Sequence, residues 1–238
     1  MTQTGDGRLP LHARLKDDLS ARISANEWGP DSALPSESEL ATAYNVSVGT
    51  MRRVLGDFVA DGILDRRQGR GTFVRRPTFD NAFFRFFRAR GDSDRIPDAR
   101  ILLRDRLRTP AEVACALDHK GEILHLHRVR EYDAVPFLVE DIWLPLPAFD
   151  SIANIEISEI GPLLYPAYEK LAGIVIGSAT EDLSFGHENS TVADELGCSG
   201  TESLARIERC ARTHAGDAVE YRVSYGVASA FRYRLELR

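Results

Sequence analysis

Cysteine is scarce in this sequence. Its 238 residues hold three, Cys115, Cys198 and Cys210, far apart and with no C-x-x-C pair. That argues against a disulfide framework and a cysteine-based zinc site. The expectation for all three is a buried thiol, the usual state of free cysteine. Long apolar runs are missing as well: nothing approaches the roughly 20 residues that a membrane-spanning helix needs. The first ten residues are polar and lack the apolar core of a signal peptide. A cytoplasmic protein without a membrane partner is therefore expected. Excess positive charge is also absent. The formal net charge is −6, which at first argues against a nucleic-acid partner.

What is present reverses that argument. Residues 1–78 carry 11 Lys/Arg against 10 Asp/Glu, and residues 52–76 alone carry 7 Arg against 3 Asp, so the negative charge sits further along the chain. A locally basic edge on an acidic body suits a face that reads DNA. Hydrophobic residues at 43% and charged residues at 28% are ordinary for a globular protein, and the length allows one large domain or two of common size.

The N-terminal pattern is helical. Leu11, Leu15, Leu19 and Ile23 recur every four residues and predict a helix over 11–24, broken by Gly29 and Pro30. Ser36 followed by Glu39 forms a capping box for a short second helix over about 37–44, with Asn45 placed to end it in the left-handed region. Ser47 caps a third helix over about 48–61 with an apolar stripe of Met51, Val54, Leu55 and Phe58, closed by Gly62. Two short strands over 63–74 then flank a turn with Gly69 and Gly71, a hairpin with an arginine-rich tip. Three helices and a basic hairpin in this order predict a winged helix-turn-helix.

Residues 77–97 read as a linker between a DNA-binding domain over 1–76 and a second domain over 98–238; within the linker, the Phe-rich 81–90 suggests a short amphipathic helix. Beyond it, strands are predicted over 101–107, 122–132, 137–144, 174–185, 204–213 and 218–227, with a last segment over 231–237. Helices are predicted over 110–117, 163–171 and 191–196. Hairpin-joined strands with helices between them indicate an α+β domain on a mostly antiparallel sheet.

The third helix would read DNA. Its exposed start carries Ser47, Gly49, Thr50, Arg52 and Arg53, and N-terminal residues of such a helix meet base edges. Arg52 can donate two hydrogen bonds to one guanine. Ser47, Thr50 and the helix amides suit phosphate oxygens, and Gly49 permits close approach. Arg66, Arg67, Gln68, Gly69 and Arg70 of the hairpin can reach the backbone or the minor groove. Ser36 joins them from the second helix.

The runs Leu34-Pro-Ser-Glu-Ser-Glu-Leu-Ala41, Asn45-Val-Ser-Val-Gly-Thr-Met-Arg-Arg-Val-Leu55 and Asp61-Gly-Ile-Leu-Asp-Arg-Arg-Gln-Gly-Arg-Gly-Thr-Phe-Val74 closely resemble the GntR family of bacterial regulators over about residues 9–75. The resemblance implies that Arg52 reads the operator, that Ser47 and Thr50 touch it, and that the wing is at 68–71. Ser38 and Val48 stand where the family usually has DNA-contacting arginines. Their loss implies weaker phosphate anchoring or a shifted base preference.

Arg128 and Arg130 lie two apart in a predicted strand and face one side. Such a pair is costly to bury unless it meets anions, and Arg suits carboxylate or phosphate. An external anion or internal Arg–Glu bridges would both serve. Residues from about 80 to the end resemble the UTRA effector domain of the HutC subfamily, similar in fold to chorismate lyase. The scattered matches include Leu126-His-Arg-Val-Arg130, Val139-Glu140, Leu164-Tyr165 and Val219-Glu-Tyr221. The resemblance implies an anionic effector held by Arg128 and Arg130, with Glu140, Glu220 and Tyr165 lining the site. The family's ligand-contacting tyrosine falls at Gly226 here, with Tyr225 one position early, so Tyr225 reaches the site only through a bulge. Leu163 replaces a familiar serine, for which Ser158 is a nearby substitute.

The whole reads as a homodimeric repressor that binds a palindromic double-stranded DNA operator and is released by a small, anionic effector. Two alternatives stand beside it: a DNA-binding dimer without effector, and an enzyme built on the lyase-like fold. The histidines are scattered without a nucleophile or further metal ligands, so no catalytic residue, metal or cofactor is expected.

Overall fold

The computed structural model describes residues 10–25, 27–28, 32–74, 96–187 and 190–231. Its contacts divide the chain into two units.

In the N-terminal unit, helix α1 (Leu11–Ser24) buries Leu15, Leu19 and Ile23, while Leu11, a full turn ahead of the packed stripe, stays 48% exposed. Helix α2 (Glu37–Ala43) carries the expected capping box: Ser36 Oγ accepts from the Glu39 amide at 3.2 Å and Glu39 Oε2 accepts from the Ser36 amide at 2.8 Å. Asn45 takes the left-handed conformation, φ 52°. Helix α3 (Val48–Ala60) is capped by Ser47 and buries Met51, Val54, Leu55 and Phe58. These residues form one core with Trp28, Leu34, Leu40, Ala41 and Leu64.

Strands β1 (Leu64–Arg67) and β2 (Gly71–Val74) make the hairpin. Gly71 sits at φ 111°, and a Cβ there would lie 3.2 Å from that of Ala33, so both backbone and space require glycine. One feature escaped the sequence pattern: Ala33 bridges to Phe73, and the Leu34 amide donates to Thr72 O at 2.7 Å. The hairpin is thereby stitched to the chain entering α2.

The C-terminal unit is built on a six-stranded sheet in the order β3-β4-β5-β8-β7-β6. The strands are β3 (Asp98–Arg108), β4 (Glu122–Tyr132), β5 (Val135–Pro145), β6 (Ile176–Gly186), β7 (Leu204–Thr213) and β8 (Ala218–Val227). β3/β4, β4/β5, β5/β8 and β7/β8 pair antiparallel. Asp133 and Ala134, both at positive φ, make a tight two-residue turn between β4 and β5, shorter than the four-residue turn expected.

Helices α4 (Ala111–Leu117) and α8 (Ser190–Leu196) pack on one sheet face, through Val113 and Leu117 against Ile123, and through Val192 and Leu196 against Val129 and Val139. The opposite face meets a segment of short helical pieces: α5 (Asp150–Asn154), α6 (Ile157–Ile160), α7 (Leu164–Ala167) and a π-turn over Tyr168–Ala172 that ends at Gly173, φ 69°. Sequence periodicity predicts a single helix over 163–171, because pieces of four or five residues are too short to show a period.

The expected buried thiols are not found: Cys115 is exposed, and Cys198 and Cys210 are half-buried. In α4 the i, i+4 pair Val113 and Leu117 faces the sheet, which turns Cys115 away. The proposed helix over 81–90 and the last segment beyond Phe231 lie outside the described residues.

Candidate functional site

The start of α3 and the hairpin tip form one face of the N-terminal unit. Ser47 Oγ accepts from the Thr50 amide at 3.1 Å and lies 2.8 Å from Thr50 Oγ1, so both hydroxyls sit at the positive end of the helix dipole. Ser47, Gly49, Arg52, Arg53 and residues 66–70 are all exposed. A Cβ on Gly49 would meet only Ser47 Oγ, at 3.8 Å; the fold itself does not demand glycine there. Arg67 lies over the Phe73 ring, 4.5 Å from its centroid. Among the described residues, Arg53 and Arg70 make no ion pair.

Glu37 ties this face together. Its carboxylate accepts from Arg52 Nε at 2.7 Å and from Arg66 Nη2 at 2.8 Å. One acid at the start of α2 thus holds an arginine of α3 and an arginine of the hairpin. Sequence reasoning missed Glu37, because acids in a first helical turn are ordinary and its partners lie 15 and 29 residues away. An open cleft of about 520 Å³ lies beside it, lined by Ser36, Glu37, Arg66, Gln68 and Arg70 among others. Ser36 borders the cleft, but its hydroxyl is engaged with Glu39 and Ser38.

In the C-terminal unit, the sheet register gathers the charged residues of β4, β5, β7 and β8 on one face. Arg128 stands opposite Glu140, Glu140 opposite Ser224, and Arg209 opposite Arg222. Arg128 Nε donates to Glu140 Oε2 at 2.6 Å, and Arg222 Nη1 to Glu140 Oε1 at 2.9 Å. Arg222 Nη2 donates to Glu220 Oε2 at 2.7 Å. From the covering segment, the Tyr165 and Tyr168 hydroxyls reach Glu220 at 3.2 and 2.6 Å. Arg209 donates to Tyr165 and to Glu181, and Arg130 to the carbonyls of Pro162 and Pro97. Arg128, Arg130, Arg209, Arg222, Glu140 and Glu220 are each at most 3% exposed.

Burial pushes the Glu140 carboxyl up, but the guanidinium groups of Arg128, Arg222 and Arg130 outweigh it and hold it at about 2. Burial raises the Tyr165 and Tyr168 hydroxyls, so both are neutral donors.

The structure therefore brings Arg128, Arg130, Glu140, Tyr165 and Glu220 together and adds Arg209, Arg222 and Tyr168. The only sequence signal for the added arginines was strand alternation, which is not specific to charged residues. Two expected residues stay apart. Tyr225 pairs with Val139 and packs near α8 on the other sheet face, where its hydroxyl accepts from Arg206 at 3.3 Å. The register runs without a shift from Val139 to Trp143, so no bulge turns Tyr225 toward Arg128. Ser158 is exposed on α6 and shares none of the cluster's hydrogen bonds.

That other face holds an ion-pair network the sequence did not reveal. Asp141 Oδ1 lies 2.8 Å from both His125 Nε2 and His127 Nδ1, and His127 Nε2 lies 2.9 Å from Glu195 on α8. Hydrogen bonding to Asp141 raises His127, burial opposes it, and Glu195 adds to the rise, giving about 9. A histidine raised in the folded state stabilises below its ordinary value of 6.5 and loses that contribution as pH rises through about 9. The difference in urea stability between wild type and His127→Gln is therefore expected to shrink between pH 6.5 and 9. A constant difference would contradict the ion-pair role.

Comparison with known proteins agrees with both halves. Residues 11–74 match the family "Bacterial regulatory proteins, gntR family", and residues 92–232 match the UTRA domain. The chain is 27% identical over 221 residues to the HTH-type transcriptional repressor NagR of Bacillus subtilis, covering 90% of this chain and 88% of that protein. It is 34% identical over 149 residues to the histidine utilization repressor of Pseudomonas putida, covering 59% of each. The crystal structure of PhnF from Mycobacterium smegmatis superposes with a TM-score of 0.56 at 20% identity, over 94% of this chain and 98% of that one. This chain belongs to the GntR family of bacterial regulatory proteins, with an N-terminal helix-turn-helix and a C-terminal UTRA domain.

Proposed function

We propose that this protein is a transcriptional repressor that binds a palindromic operator as a homodimer and is released by a small anionic effector. The observation that carries the effector half is the buried cluster: four arginines, Arg128, Arg130, Arg209 and Arg222, meet three carboxylates, Glu140, Glu181 and Glu220. A surplus buried positive charge is costly unless an anion joins it. The names of the relatives, repressors of utilisation genes among them, support the DNA half. They also remove the support for an enzyme, which rested on fold likeness alone.

On DNA, Arg52 reads a base while Ser47, Thr50 and Arg53 engage phosphates. The hairpin residues Arg66, Arg67, Gln68, Gly69 and Arg70 follow the adjacent groove, with Ser36 at its border. Two-fold symmetry would set a pair of these faces one helical turn apart. The effector must bind the released state better than the DNA-bound state to shift the population.

A second reading has an observation of its own. Both oxygens of Glu140 and of Glu220 already have protein donors, as a purely structural cluster would. The test is selection of genomic fragments by the full chain, with sedimentation of the complex. Enrichment of a symmetric site bound by two chains is expected. A folded chain that enriches no sequence would refute the proposal.

A further inference from the structure

The hydrogen bonds of Arg222 carry a statement about which anion fits. Glu140 Oε2 accepts from Arg128 at 2.6 Å and Oε1 from Arg222 at 2.9 Å. Glu220 Oε1 accepts from Tyr165 at 3.2 Å, and Oε2 from Tyr168 at 2.6 Å and Arg222 at 2.7 Å. All four carboxylate oxygens are thus occupied by the protein, and Arg222 holds one on each acid. A ligand hydroxyl could use these acids only by replacing an ion-paired hydrogen bond with a neutral one, which is roughly half as strong. It would also leave a buried guanidinium short of a partner.

The groups that remain point the other way. Arg222 Nε and Ser224 Oγ are buried and make no hydrogen bond, on residues 3% and 1% exposed. Ser224 stands directly opposite Glu140 in the β5/β8 register. Nε can only donate, and the serine hydroxyl can rotate to donate as well. The site therefore offers spare donors and positive charge, while its acceptors are taken.

We propose that Arg222 is the specificity-determining residue of this site. It selects a small carboxylate or phosphate with few hydroxyl groups and shuts out polyhydroxylated anions such as hexose phosphates. This rests on the effector reading above and sharpens it.

The test is calorimetric titration of the full chain with succinate, inorganic phosphate and glucose 6-phosphate. Succinate or phosphate is expected to bind about tenfold or more tighter than glucose 6-phosphate, the factor implied by exchanging one ion-paired hydrogen bond for a neutral one. The first two probes separate the carboxylate from the phosphate form of the idea. Arg222→Ser frees Glu140 Oε1 and should shift the preference toward the sugar phosphate by a similar factor. Wild-type protein that prefers glucose 6-phosphate would overturn the proposal, and so would a folded Arg222→Ser with an unchanged ratio. If that variant does not fold, the wild-type ratio alone decides. Failure of all three probes to bind more tightly than they bind Arg128→Ala would instead overturn the effector reading, and this proposal with it.

Discussion

Arg52→Ala is expected to lower affinity for the selected operator by roughly 5- to 150-fold per recognition helix, the weight of one bidentate arginine–guanine contact, ~1–3 kcal/mol. The fold should be unaffected. The Arg52 side chain is 65% exposed, and its bond to Glu37 joins surface groups, whose ion pairs contribute little to stability. Binding to unrelated duplexes should fall much less, because phosphate contacts remain. Fluorescence anisotropy with operator and scrambled duplexes separates the two effects. Operator affinity within twofold of wild type, with the melting temperature preserved, would remove Arg52 from the reading set. Glu37→Gln is the counterpart. It takes a negative charge away from the DNA face, so binding to any duplex should strengthen. It also loosens Arg52 and Arg66, so the operator-to-scrambled ratio should fall.

Glu140→Ala is expected to be the most destabilising single change in the C-terminal unit. Glu140 is 1% exposed and neutralises Arg128 and Arg222 at once. Breaking a buried ion pair from one side costs about 3–5 kcal/mol, because the surviving charge stays buried. In a chain of this size that is a fall on the order of 10 °C in melting temperature. The same carboxyl sets an acid limit. Its folded value of about 2 lies below the ordinary 4.5, so its contribution is present above pH 4.5 and is lost as pH falls toward 2. Urea denaturation of wild type and Glu140→Gln at pH 7 and pH 3 reads this directly: the gap between them should narrow at pH 3. An Ala variant as stable as wild type would mean that the cluster holds nothing together.

The N-terminal unit was legible because its signals are local. Ser36 with Glu39, Ser47 with Thr50, and the stripe from Met51 to Phe58 each act within one or two turns, and each reappears in the structure. Glu37 was not legible, because its role depends on a hairpin that returns to α2. In the C-terminal unit, alternation located the strands but not their order. Arg209 and Arg222 lie in strands that read as ordinary sheet residues; only the pairing of β5 with β8 and β8 with β7 carries them to Arg128 and Glu140. The same pairing decides Tyr225. Its place one residue before Gly226 left a bulge open as a way into the cluster, and an unbroken register puts it on the other face beside Arg206.

The central claim is that anion binding and DNA binding oppose each other in one chain. Linkage makes this measurable: an effector that weakens DNA binding by some factor must itself bind the DNA complex more weakly by the same factor. The direct measurement is operator affinity by anisotropy, with and without an anion that raises the melting temperature of the free chain, in wild type and in Arg128→Ala. The account predicts that the anion weakens operator binding in wild type, by about 5- to 150-fold for a typical coupling, and that Arg128→Ala loses both the thermal shift and the release. An anion that binds the Arg128 site and leaves operator affinity unchanged would contradict it.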